Sequence, residues 1–192
     1  MGKEIIKYTN NSPDELDFLW LHLDQNAFKN DSKGNAIIPL RGSRSGTKGQ
    51  KLDGGFKISA VQVISGKGRD RTIEDAKHEI YGTRMKVNLP QTLKPNGGEV
   101  SLKIDFSFLS PNYGSDRMGI AETQNGKIYS IAQFHPRMCV YDDLNGWNTL
   151  PYIGQGEFYL EYGDFNISIT VPSDQIVLCS GELINPLETY TL

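Results

Sequence analysis

The sequence predicts an all-β fold of antiparallel strands, arranged as a saddle-like sheet or a β-sandwich with few short helices. Three observations support this prediction. Apolar and polar residues alternate with a period of two along several stretches, which is typical of strands with one buried face. Pairs of asparagine and glycine interrupt these stretches where turns are needed. Helical periodicity, in contrast, is weak along the 192 residues.

The clearest strand runs from Val100 to Phe108, where apolar side chains share one face and polar side chains share the other. The same alternation over Phe165–Val171 predicts a strand that stops at Pro172, with 176–178 as its hairpin partner. Further strands are predicted over Glu4–Thr9, Asp17–Leu23, Ser59–Ile64 and Met85–Leu89, the last ending at Pro90. Roughly nine short strands separated by turns favour a sandwich or saddle of antiparallel sheets. The length of 192 residues favours one domain over residues 1–192.

A few segments depart from simple alternation. Asp17–Leu23 is apolar on both faces, which predicts a strand covered by protein on each side. Short helices are predicted over Asp24–Asn30 and Thr72–Ala76. The stretch Arg41–Gly55 contains almost no apolar residue and predicts a mobile loop. Turn sequences at 94–98, 125–126 and 145–146 predict hairpins.

Composition and charge exclude several classes of function. The net charge of -3 and the spread of Lys and Arg along the chain leave no basic surface for nucleic acid. No apolar run approaches the roughly 20 residues that cross a bilayer, so no membrane span is expected. The first residues lack an export signal. Cys139 and Cys179 are expected to be buried free thiols.

The sequence contains no complete active site. A zinc hydrolase needs three protein ligands and usually a nearby general base. The histidines are His22, His78 and His135. His78 and Glu79 begin a zinc-binding helix motif, but its second histidine would fall at Gly82, so the pair is interpreted as coincidental. The chain is therefore predicted to supply no catalytic residue and no metal ligand.

Three segments carry a family resemblance through their order along the chain. The first is Tyr8–Leu16 with Leu19–Asn26, and the second is Thr83–Pro90 with the strand that follows it. The third and most specific runs from Ile131 to Asp143, continues through Gly146 and Trp147, and extends over Gly156–Phe158, Gly163–Pro172 and Ser180–Pro186. Together they cover nearly the whole chain. They resemble the N-terminal β domain of bacterial aminopeptidase N-like (gluzincin) zinc metallopeptidases.

The resemblance implies a longer parent protein, in which this β domain precedes a thermolysin-like catalytic domain that carries zinc. The expected partners are that missing catalytic domain and the peptide substrate of the parent. This chain is then inactive alone and holds no cofactor. Its compartment is unassigned, with a periplasmic or exported parent as one option.

The resemblance also suggests one substrate-binding residue. In the family, this domain lends a Gln or Glu side chain to the free amine of the peptide. The matching position here is Gln133, at the end of Ser130–Gln133. An amide oxygen facing an ammonium group makes a charge-assisted hydrogen bond. The alternative is that Gln133 satisfies buried backbone groups in a loop.

A binding module of another class, for carbohydrate or protein adhesion, is the alternative function. Such a β-sandwich shares the strand pattern and the lack of catalytic residues. Its expected signature is a set of coplanar exposed aromatic rings, for which the candidates are Trp147, Tyr152, Tyr159 and Tyr162. The same rings would otherwise pack against the missing catalytic domain.

The strand that begins near Glu4 is predicted to lie at a sheet edge, because the resembling domain opens with one more strand before it. Free backbone amides at an edge can pair with another copy of the chain. Weak self-association through this edge is therefore expected.

Overall fold

The computed structural model describes residues 1–33, 54–66, 68–110, 118–153 and 159–189. Its strands are β1 (Gly2–Asn10), β2 (Leu16–His22), β3 (Lys57–Ser65), β4 (Thr72–Asp75), β5 (His78–Tyr81), β6 (Arg84–Leu93), β7 (Gly98–Ser107), β8 (Met118–Thr123), β9 (Gly126–Ile131), β10 (Arg137–Met138), β11 (Tyr141–Asp142) and β12 (Gly146–Trp147). Helical elements in the described ranges are the 3₁₀ helices Asp24–Phe28 and Gly68–Asp70 and the helix α1 (Pro186–Thr189). Most of the predicted loop Arg41–Gly55 lies outside the described residues.

Two four-stranded antiparallel sheets account for most of the strands. Sheet A has the order β1-β7-β3-β4, and sheet B has the order β10-β2-β6-β5. The pairs β8–β9 and β11–β12 form two-stranded hairpins. One hydrophobic core draws side chains from both sheets, among them Leu19, Leu21, Met85 and Val87 of sheet B and Val61, Val63, Leu102 and Ile104 of sheet A. The predicted antiparallel, sandwich-like all-β class with few short helices is confirmed.

Strand β7 shows how the alternating pattern builds this core. Its side chains Leu102 and Ile104 are both 0% exposed. On the opposite face, Lys103 donates from Nζ to Oε1 of Gln62 on β3 at 3.1 Å. Strands β1 and β3 pair with β7 on its two sides. The amphipathic strand predicted from Val100 is therefore confirmed, at the centre of sheet A.

Strand β2 is buried on its inward face and half-buried on its outward face, so the predicted cover on both sides is present only in part. Its inward leucines are fully buried. On the outward face, Lys86 Nζ lies 4.0 Å from the ring centroid of Phe18. The centroid of the Trp20 ring lies 5.7 Å from the Tyr81 ring centroid and 6.0 Å from the Arg84 guanidinium carbon. Side chains of β5 and β6 thus cover the outward aromatic rings through cation–π and ring contacts.

Strand β6 continues past the proline at which it was predicted to end. Phe18 pairs with Asn88 and Leu16 pairs with Leu93, and the register shifts between these two pairs. Pro90 falls in the interval, where no ladder partner faces it. Its missing N–H therefore removes no ladder hydrogen bond, and the strand extends to Leu93.

The helix predicted over Thr72–Ala76 is wrong, because Thr72–Asp75 pairs with β3 as strand β4. The Ala76 amide then donates to the Val61 carbonyl at 2.8 Å, and the Asn88 amide donates to the Lys77 carbonyl at 2.9 Å. The chain thus passes from sheet A to sheet B within two residues. An available sheet edge outweighs a weak helical pattern.

The three predicted turns all form, but one of them joins the two sheets. Gly126 and Gly146, both with positive φ, lie at the ends of the β8–β9 and β11–β12 turns. Asn96 and Gly97, with φ of 55° and 109°, instead connect β6 of sheet B to β7 of sheet A. The hairpin expected at 94–98 is therefore wrong, although its left-handed turn is present.

Strand β1 lies at the edge of sheet A and, among the described residues, pairs with β7 alone. Its outward Ile5 is 63% exposed. Lys3 and Lys7 flank it and approach Asp105 and Glu99 at 3.8 Å and 3.3 Å. Lysines on an edge oppose pairing with other chains, whereas an exposed Ile favours it. The weak self-association expected here stays a prediction, which sedimentation at high protein concentration checks.

The chain divides into two compact units, Met1–Glu161 and Tyr162–Leu192. The hairpin predicted from Phe165–Val171 and 176–178 is wrong, since the described residues of the second unit form no strand. A strand exists only where a neighbour takes up its backbone donors and acceptors, and alternation alone supplies no neighbour. A single domain over residues 1–192 stays a prediction.

The two thiols differ in their surroundings. Cys139 and Cys179 are both free, as predicted. Cys139 is buried in the first unit, whereas Cys179 is exposed in the second, so the predicted burial of Cys179 is wrong.

Candidate functional site

Five polar residues meet where the segment before β10 passes the end of sheet B. Arg137, at the start of β10, pairs with His22 at the end of β2. The chain that follows β2 therefore lies beside the segment that precedes β10. We call the group formed by Asp24, Gln25, Gln133, His135 and Arg137 the Gln133 site.

The 3₁₀ helix Asp24–Phe28 begins with three buried polar side chains, those of Asp24, Gln25 and Asn26, which are 2%, 0% and 1% exposed. Asp24 forms a hydrogen-bonded ion pair with Arg137. Asn26 donates to the carbonyl of the β5–β6 turn at 2.8 Å and accepts from the Phe56 amide at 2.8 Å. Such groups are tolerated in a core only when they are hydrogen-bonded.

Gln133 adopts a backbone conformation that is unfavourable for residues other than glycine. Its φ is 52°, in the left-handed region. This conformation costs about 1–2 kcal/mol. Gln25 offsets the cost, since its Nε2 donates to the carbonyl oxygens of Ala132 at 3.0 Å and Gln133 at 3.2 Å. Each such bond contributes about 0.5–1.5 kcal/mol net. The side-chain oxygen of Gln133 is shielded from solvent.

His135 ties the same segment to the edge strand of sheet A. Its Nδ1 lies 3.4 Å from Oε2 of Glu4 and 2.9 Å from the Pro136 carbonyl oxygen. Burial alone lowers the pKa of His135, but its bonds to Glu4 and Pro136 and the charge of Glu4 together raise the pKa above 6.5. Burial raises the pKa of Glu4 above 4.5, and His135 offsets only part of that increase. Each group thus keeps its proton to a higher pH than in an unfolded chain.

We expect the free energy of unfolding to fall as the pH rises from about 6 to about 8. A group with a raised pKa stabilises the folded state fully at pH values below its unfolded pKa, which is 6.5 for His135. This stabilisation is lost as the pH rises through the pKa of the folded state. The contribution of Glu4 to stability is lost in the same way as the pH rises above 4.5. His22 acts in the opposite direction, because burial lowers its pKa and its contribution is lost as the pH falls below 6.5.

Urea unfolding of the chain and of a His135→Gln variant, each at both pH values, measures this effect. The decrease in the free energy of unfolding above pH 6.5 should disappear in the variant. The same decrease in both proteins would assign it to another group.

His22, Arg84 and Cys139 surround the ion pair of Asp24 and Arg137. Arg84 faces His22 across β6 and β2. Burial, with the charge of Asp24 acting in the same direction, raises the pKa of Cys139 to about 12. The Cys139 thiol is therefore protonated at neutral pH and is a packing group, since only the thiolate is a strong nucleophile.

The structure places the histidines on separate elements. His78 and Glu79 lie on the exposed strand β5, and Gly82 lies in the turn that follows, so the helical zinc motif does not form there. Among the described residues, no group of three or more His, Cys, Asp or Glu is placed to hold a metal ion. Over the same ranges, no helix has both the length and the apolar character to cross a bilayer.

The aromatic residues considered for a binding module differ in their exposure and in their contacts. Trp147 packs against two tyrosine rings, with centroid distances of 6.1 Å and 5.2 Å and interplanar angles of 36° and 74°. Tyr152 is buried, and the Tyr159 hydroxyl donates to Asp142 at 2.8 Å. Tyr162 belongs to the second unit, where its ring is fully exposed.

Sequence reasoning identifies Gln133 but assigns no role to Gln25 or Glu4. Gln25 lies within a segment that carries the family resemblance, yet its partners are 107 and 108 positions away in the sequence. The sequence does contain a feature that could have identified Gln25. Three polar residues, Asp24–Asn26, directly follow a strand that is apolar on both faces, and such residues near a core need distant partners.

Comparisons with known proteins identify no family. No protein-family model matches the chain, and no curated protein matches it significantly. The resemblance to aminopeptidase domains therefore stays a prediction from the sequence. Two of those segments, Leu19–Asn26 and Ile131–Asp143, meet at the Gln133 site.

Proposed function

We propose that this chain is the non-catalytic N-terminal domain of a zinc aminopeptidase. It packs on the catalytic domain of the same polypeptide and helps to form the cleft that binds peptide N-termini. The catalytic domain holds the zinc, and this chain alone is inactive. The observation that supports the proposal most directly is the geometry at Gln133, a half-buried residue with a strained backbone. Conformations of this kind are concentrated at ligand contacts.

The proposed chemistry is recognition of an ammonium group by a neutral acceptor. The Gln133 oxygen accepts a charge-assisted hydrogen bond from the substrate amine, and exclusion of water in a closed cleft strengthens that bond. The oxygen is shielded in the structure. Amine binding therefore requires rotation of the terminal amide, which exchanges the positions of its oxygen and nitrogen.

The charges around Gln133 fit a neutral role for its side chain. Asp24 is already paired with Arg137, and the Glu4 carboxylate faces His135. Both nearby carboxylates are therefore engaged by cationic or proton-bearing partners. Gln133 adds a neutral amide to this segment, and the proposal assigns the acceptor role to that amide.

A stand-alone binding module for carbohydrate or protein adhesion is the alternative. The exposed rings of Tyr159 and Tyr162 favour it, at 52% and 102% exposed. The two other candidate rings do not support it, because Tyr152 is buried and Trp147 packs edge-on against a tyrosine.

We expect the 192-residue chain to hydrolyse no aminoacyl amide and to retain no stoichiometric zinc after equilibration with the metal and dialysis. Chromogenic aminoacyl anilides measure turnover, and elemental analysis measures the metal. Affinity electrophoresis through polysaccharide gels tests the alternative, since retarded migration would favour the carbohydrate module. Zinc-dependent turnover would contradict the proposal and would place an active site on this chain.

A further inference from the structure

Gln25 contacts the residue that makes the proposed amine contact. Its side chain is 0% exposed, and Nε2 donates to the carbonyl oxygens of Ala132 and Gln133, at 3.0 Å and 3.2 Å. One side-chain nitrogen thus serves two consecutive residues. Adjacent carbonyls directed at a single donor require a turn in the backbone, and the positive φ of Gln133 provides that turn.

The helix that carries Gln25 is itself anchored on both sides of that residue. Asp24 pairs with Arg137 of β10. Asn26 bonds the Phe56 amide and the β5–β6 turn. Gln25 therefore lies between two residues that are held by their own hydrogen bonds. These bonds fix the position from which Gln25 donates. Groups locked in this way are the ones that hold a functional side chain in a productive geometry.

We propose that Gln25 is the positioning residue for Gln133. By holding the carbonyls of Ala132 and Gln133, it fixes the backbone from which the Gln133 amide reaches a substrate amine. This inference rests on the proposed function, because it assigns Gln25 a part in the same contact. A preorganised acceptor loses less conformational freedom on binding, so loss of Gln25 weakens substrate affinity and leaves the chemical step unchanged.

The first test uses the 192-residue chain and requires no activity. Nitrogen-edited NMR spectra report the side-chain amide of Gln133, which is assigned by its disappearance in Gln133→Ala. In Gln25→Met, this signal should move to the position of an unstructured glutamine. Gln25→Asn, whose amide is one methylene shorter, is the second variant in case Gln25→Met does not fold. A Gln133 signal unchanged in the folded variant would overturn the inference.

Asn10 offers a matched control for this test. It is also a 0% exposed amide, and its Nδ2 donates to the carbonyls of Asp14 and Lys94 at 2.8 Å and 3.1 Å. Asn10→Leu removes these two bonds in a different turn, together with the two that Asn10 Oδ1 accepts from Ser12. It should leave the Gln133 signal in place. A shift of that signal in Asn10→Leu as well would show a general loss of stability and would count against a specific role for Gln25.

The second test uses the full-length parent enzyme. Gln25→Met should raise KM about tenfold with kcat unchanged, and adding Gln133→Ala should raise KM no further than Gln133→Ala alone. Additive effects would overturn the positioning role. If Gln133→Ala itself leaves KM unchanged, the proposed amine contact fails, whereas the NMR result still decides whether Gln25 orders Gln133.

Discussion

Replacing Asp24 with alanine is expected to lower the free energy of unfolding by about 3–5 kcal/mol. Asp24 is 2% exposed, and its partner Arg137 keeps 19% of its side chain exposed. Removing the carboxylate leaves a largely buried guanidinium without a counter-charge, close to Arg84 and His22. The loss of attraction and the uncompensated burial act in the same direction. Urea unfolding of the 192-residue chain measures the change.

Two further variants separate the ion pair from charge in general. Lys7→Ala breaks an exposed pair with Glu99, 3.3 Å apart, and should change stability by less than about 1 kcal/mol. Adding Arg137→Met to Asp24→Ala removes the stranded charge and should restore much of the loss. A loss below about 1 kcal/mol for Asp24→Ala would mean that Arg137 finds solvent or another partner, and that Asp24 does not anchor the site.

The longer strands of the first unit, β1, β2, β3, β6 and β7, were predictable from alternation, and each has a neighbour that completes its hydrogen bonds. β7 and Phe165–Val171 show the same alternation, yet only β7 forms a ladder, with β1 and β3 on its two sides. The sequence pattern reports which face a strand would bury, whereas the partner is a property of the fold. The continuation of β6 through Pro90 has the same origin, since it depends on a register shift in another strand.

The candidate site was predictable only in its central residue. Gln133 stands out through a resemblance between short segments, and no local pattern predicts its positive φ. Gln25 lies more than 100 residues away in the sequence and bonds the Gln133 backbone. Glu4 also lies more than 100 residues away and forms its ion pair with His135, two residues beyond Gln133. Contacts of this kind leave no periodic signal, because periodicity reflects burial and a polar contact depends on two distant side chains.

Gln133→Ala should raise KM for peptide substrates about tenfold to a hundredfold in the full-length parent enzyme. The lost hydrogen bond involves a charged amine, and it is made in both the ground state and the transition state, so kcat should change little. Gln133→Glu keeps an oxygen acceptor and should retain most of the affinity. Gln62→Ala is the control, because Gln62 lies on β3 with Asp75 and Lys103 as its partners.

The most direct measurement compares two inhibitors of the parent enzyme that differ only in the free amine, an aminoacyl inhibitor and its des-amino analogue. If Gln133 holds the amine, Gln133→Ala weakens the aminoacyl inhibitor about tenfold or more and leaves the des-amino analogue unchanged. An equal loss for both inhibitors, or no loss for either, would show that this chain does not bind the peptide's N-terminus through Gln133.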